Sequence, residues 1–107
     1  MTKIKLIRNE KELVLDIKGH SGYAERGSDI VCSAISSMSL MLVEYLHRTY
    51  GVIEFEEIDG SLYCKTRNII DNHTLELLGA YSNMMKQLVE QYPNNVKYEV
   101  ITKWLTK

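Results

Sequence analysis

The 107-residue chain has one proline, one phenylalanine, one tryptophan and two cysteines. With Pro93 alone and no low-complexity tract, nothing reads as a disordered segment or a linker. Cys32, Cys64, His20, His47 and His73 show no C-x-x-C or H-x-x-x-H pairing, so no clustered zinc ligands and no metal are expected. Neither sign of charge dominates: 13 basic residues face 14 acidic ones. That argues against a nucleic-acid binder held by phosphate neutralisation, which needs clustered Lys and Arg. No run of about 18 apolar residues exists, so no membrane span is expected. The first ten residues, MTKIKLIRNE, are charged and alternating, unlike a signal or transit peptide. The expectation is a cytoplasmic protein whose Cys32 and Cys64 stay reduced and unbridged.

What is present is ordinary for a globular chain, with 45% hydrophobic and 25% charged residues. The length suits one domain spanning 1–107 that hides roughly two-thirds of its unfolded surface. Ile4 and Leu6, then Leu13, Leu15 and Ile17, alternate with polar neighbours across a turn at Arg8 to Lys11. Period two over two short runs predicts a hairpin, ended by Gly19. From about Ser28 to Tyr50 the period lengthens. Val31, Ile35, Met38, Leu42 and Leu46 share one helix face, with Ser28 or Asp29 as N-cap and Gly51 as the closing residue. Ile53 and Phe55 mark a strand, Asp59-Gly60 a two-residue turn, and Leu62 and Cys64 the return strand. Asp71 or Asn72 caps a second helix whose stripe is Leu75, Leu78, Tyr81, Met85, Leu88 and Tyr92. Val96, Tyr98 and Val100 give a last strand. The order ββαββαβ predicts an α+β, two-layer sandwich: a mostly antiparallel sheet with two helices packed on one face.

One stretch stands out, residues 19–36, GHSGYAERGSDIVCSAIS. Cys32 falls one turn into the predicted helix, where unpaired N–H groups and the helix dipole favour a thiolate. Such a sulfur is a nucleophile; a small buried hydrophobe is the other reading. His20 ends the preceding strand and can approach Cys32 when the loop folds back. It is then either the base that covalent catalysis requires or a strand-end side chain bonded to the loop. Gly19, Gly22 and Gly27 are either hinges of a movable loop or turn formers. Asp29 has three candidate jobs: cap, orienting partner for His20, or both. Its carboxylate also opposes a nearby thiolate. Ser36 shares the Cys32 face one turn on, to shape a pocket or to bond to backbone. Tyr23, Glu25 and Arg26, in mid-loop, contact substrate or simply face water. Acyl transfer needs oxyanion donors, and the helix-start N–H groups, including that of Cys32, are the natural ones.

GYAERGS, residues 22–28, is a near miss to a phosphate loop but lacks its lysine. Exposed-looking apolar residues (Ile7, Val14, Leu40 and Val43) fit a partner surface, so a non-catalytic homodimer or adaptor is the alternative to an enzyme.

The same stretch resembles the bacterial ribosomal-processing cysteine protease family, Prp. Its signature is a Gly-His pair, a glycine-bearing loop, Gly-x-Asp-Ile-Val-Cys, and a serine four residues further on. Here these are Gly19, His20, Gly27, Asp29, Ile30, Val31, Cys32 and Ser36. The resemblance implies a cytoplasmic, dimeric endopeptidase with no cofactor, and a dyad of Cys32 as nucleophile and His20 as proton donor and acceptor. It implies a thioester intermediate and a mobile loop over the peptide site. The implied substrate is the N-terminal extension of a large-subunit ribosomal protein, the twenty-seventh in standard naming. Ser33 departs from the alanine more usual there.

Overall fold

The computed structural model describes residues 1–25, 28–67 and 71–103. Strands β1 (Thr2–Asn9) and β2 (Glu12–Lys18) form the first hairpin. Asn9 closes its turn, its side-chain oxygen accepting the N–H groups of Lys11 and Glu12 at 2.9 and 2.8 Å. Helix α1 (Ile30–Tyr50), strands β3 (Val52–Ile58) and β4 (Ser61–Arg67), helix α2 (Asn72–Gln91) and strand β5 (Val96–Lys103) follow. The sheet runs β3-β4-β2-β1-β5. All its pairings are antiparallel except β1 with β5. The α+β, mostly antiparallel expectation therefore holds.

The core lies between the helices and one sheet face. Ile4, Leu6, Leu13, Leu15, Ile17, Leu62, Cys64 and Val96 come from the strands; Val31, Ile35, Leu42, Leu46, Leu78 and Met85 come from the helices. Helix ends follow the sequence signals. Asp29 caps α1 and Asp71 caps α2, each carboxylate accepting an N–H three residues on. The Gly51 N–H closes α1 on the His47 carbonyl.

Three details depart from the periodicity. Leu75 is exposed and Thr74 takes the buried position, because the Thr74 hydroxyl has two partners there, the hydroxyls of Tyr45 and Tyr50. Val43 is buried rather than on a surface patch, whereas Ile7 and Val14 are half-buried and Leu40 is exposed. By length and composition alone α1 would suffice to cross a membrane, with a mean hydropathy of 1.4. Val31, Ile35, Leu42, Val43 and Leu46 of this helix line the core, while Ile30, Leu40 and Met41 are exposed.

Register assembles the functional end of the sheet. Lys18 pairs with Ser61 and Lys3 with Lys18, while Thr2 pairs with Val96. The residues just beyond these pairs (Gly19 to Ser21, Asp59 and Gly60, Met1, and Asn95) therefore meet at one sheet end. Gly19 donates its N–H to the Gly60 carbonyl at 2.7 Å, and its own carbonyl accepts from the Thr2 hydroxyl at 3.2 Å. Only glycine fits there. Its φ is +93°, and a Cβ would collide with the Met1 carbonyl.

Candidate active site

An open cavity of about 1020 Å³ occupies this sheet end. His20, Cys32 and Ser36 line it together, with Glu57, Asp59 and Gly60 from the β3–β4 hairpin. Cys32 is half-buried and its sulfur accepts the Ser21 N–H at 3.3 Å. Cys64, by contrast, is sealed in the core, where burial pushes its thiol up to about 11. Both cysteines are unbridged, as expected.

Asp29 organises the loop. Its side chain is buried, and one oxygen accepts the Cys32 N–H at 2.9 Å. The other accepts the Ser21 hydroxyl in a short bond, and the N–H groups of Tyr23 and Ala24 at 3.2 and 3.4 Å. Burial raises its carboxyl, but these four donors outweigh that and hold it at about 2. The carboxylate is thus saturated by the loop that it shapes. Of its three candidate jobs it performs the cap, and its other partners are loop donors rather than the His20 ring. The same bonding corrects the oxyanion expectation. The Cys32 N–H is taken by Asp29, and the Ser33 N–H by the Asp29 carbonyl at 3.1 Å.

His20 stands on the other side of the cavity. Its Nε2 lies 3.8 Å from an Asp59 carboxylate oxygen, and its side chain is 43% exposed. His20 and Cys32 share the cavity without a hydrogen bond between them among the described residues. Gly22 has φ +72°, and the N–H of the next residue, Tyr23, is held by Asp29. Gly27 and Arg26 lie outside the described residues. Ser36 and Ser33 are exposed on the cavity wall, so Ser36 shapes the pocket instead of packing inside. Tyr23 stacks edge-on against Tyr92, ring centres 5.2 Å apart, and Glu25 is exposed.

Two contributors were not singled out from the sequence. Ser21 is 1% exposed, bonds to both Asp29 and Cys32, and has its carbonyl held by the Asn95 amide at 2.9 Å. Ser21 sits beside His20 in the sequence, and its position between two glycines was the available signal. Asn95 comes from the far side of α2, and no local pattern announces it. Among the described residues no His, Cys, Asp and Glu side chains gather as a metal would require.

Against known proteins, the fold matches SMU.848 from Streptococcus mutans at 30% identity, covering 96% of each chain, with a TM-score of 0.72. It also matches the essential ribosomal processing protease Prp from S. aureus in complex with a covalently linked product peptide. That match has 18% identity, covers 96% of this chain and 100% of the other, and has a TM-score of 0.76. The S. aureus protease with a substrate peptide matches at 17% identity over 94% and 99% of the chains, with a TM-score of 0.71. These last two are likenesses of fold. No curated protein matches the chain in sequence. The family model for the cysteine protease Prp matches residues 1–97, and the chain accordingly belongs to that cysteine protease family.

Proposed function

We propose that this cysteine protease is a processing endopeptidase that removes the N-terminal extension of a large-subunit ribosomal protein, the twenty-seventh, with Cys32 as nucleophile and His20 as proton carrier. The observation that carries the reading is a sulfur at a helix start, open to a cavity it shares with an imidazole and contacted by a backbone N–H. In the first half-reaction the Cys32 S–H proton passes to His20 and the sulfur attacks the peptide carbonyl carbon. The C–N bond then breaks, His20 returns the proton to the leaving amine, and a thioester remains. Water, deprotonated by His20, attacks that thioester. The extension leaves as a carboxylic acid and the thiol is restored.

Ser21 is the oxyanion donor in this scheme. Its N–H faces the sulfur at rest, and as the S–C bond forms the oxyanion lies two bonds from that sulfur, within reach of the same N–H. The Asp29 carboxylate does not compete, because its four donors fix it to the loop. The near miss to a phosphate loop has no part here.

We assign the protein to the cytoplasm, which suits two unbridged thiols. Its working form is a homodimer. Met38, Met41, Tyr45, Leu77 and Met84 form an apolar groove between the outer faces of the helices, a surface a second copy can cover. Light scattering of the eluted protein tests that point, with twice the mass of one 12.4 kDa chain expected. The function itself is tested by incubating the extended ribosomal protein with wild type, Cys32→Ala and His20→Ala. A single cut by wild type alone is expected. Cleavage that persists in Cys32→Ala overturns the assignment.

A further inference from the structure

We infer that Asp59, on the β3–β4 hairpin turn, is the positioning residue for His20, fixing its ring with Nε2 toward the hairpin and leaving Nδ1 to exchange the proton with Cys32. The inference rests on the dyad proposed above and supplies its third member.

Two independent contacts define the ring's direction. Nε2 lies 3.8 Å from Asp59 Oδ1. The same edge of the ring lies over Gly60: a Cβ at that position would stand 2.9 Å from Nε2 and 3.4 Å from both Cδ2 and Cε1. The turn itself favours glycine there, since φ is +76°. The 2.7 Å bond from the Gly19 N–H to the Gly60 carbonyl ties the backbone beside His20 to the same turn. The backbone that carries the imidazole is therefore joined directly to the turn that carries Asp59.

Chemistry follows from that direction. A neutral imidazole carries one N–H and one lone pair, and the partner of the first nitrogen decides which is which. A carboxylate beside Nε2 selects the N–H for that nitrogen, which leaves the lone pair on Nδ1. Nδ1 then takes the Cys32 proton, and the resulting imidazolium faces the Asp59 charge until Nδ1–H protonates the leaving amine. Proton and charge balance at each step. Both side chains are largely exposed, 43% for His20 and 58% for Asp59, so solvent screens the interaction and its effect is modest.

The test combines kinetics with NMR on Asp59→Ala and Asp59→Asn. Asp59→Ala is expected to lower kcat about fivefold, the scale of one exposed ion pair, with KM within about twofold. Asp59→Asn keeps an acceptor and is expected to recover at least half of that loss. Long-range 1H–15N spectra at pH 8 are expected to give the Nε2–H tautomer for His20 in wild type and Asp59→Asn, and a mixture in Asp59→Ala. Unchanged kcat in Asp59→Ala, a loss confined to KM, or an Nδ1–H tautomer in wild type overturns the inference. The NMR result stands whether or not the protein cleaves, while Cys32→Ala reports separately on the protease reading.

Discussion

Replacing Asp29 with Asn separates the charge at the loop's centre from its shape. The wild-type carboxylate accepts from the Ser21 hydroxyl and from three backbone N–H groups, and it sits at about 2 against an ordinary 3.8. Because the folded value is the lower one, the interaction is complete above the ordinary value. It is lost as pH falls from about 4 toward 2. The size follows from linkage: the difference corresponds to roughly 2 kcal/mol. An amide keeps one oxygen for the Cys32 N–H but turns an NH2 group toward donors, so Tyr23 and Ala24 lose their acceptor. Urea unfolding of both proteins between pH 2 and 7 measures the effect. The difference in stability is expected to be about 2 kcal/mol near pH 7 and to shrink as pH drops through 4. Other carboxylates, such as Asp71, titrate equally in both proteins and cancel in the difference. A gap that stays constant down to pH 2 would refute the reasoning, since the charge of Asp29 would then contribute nothing.

Cys32 should be alkylated by iodoacetamide in the native protein near neutral pH, while Cys64, buried and shifted to about 11, should react only on unfolding; equal rates by peptide mapping would contradict this. Asn95→Ala removes the donor to the Ser21 carbonyl, so cleavage should fall several-fold for about 1–2 kcal/mol of stability, read by kcat and urea midpoint. Thr74→Val strips a buried hydroxyl from Tyr45 and Tyr50 and should cost about 1–2 kcal/mol in urea unfolding without altering cleavage per folded molecule.

Much of this architecture was legible from periodicity because β1, β2, β4 and both helices each bury one face, whereas edge strand β3 leaves Phe55 and Ile58 exposed. The Asp29 cap and Cys32 could be read together because the chemistry of a helix start is local: three residues separate carboxylate and N–H. Elsewhere local reading failed for physical reasons. The parallel β1–β5 pairing joins the two ends of the chain, and nothing in either strand records it. Asn95 reaches Ser21 across 74 residues of sequence, and Asp59 meets His20 only through the β2–β4 register. Thr74 replaced Leu75 in the core because two tyrosine hydroxyls needed a buried partner, a requirement that hydrophobic spacing does not encode.

The most direct measurement is the intact mass of the enzyme after a brief incubation with the extended ribosomal protein and an acid quench. The account predicts a transient species heavier by the extension peptide less one water, mapped to Cys32 and absent from Cys32→Ala. Rapid cleavage with no such adduct, or an adduct on any other residue, would contradict it.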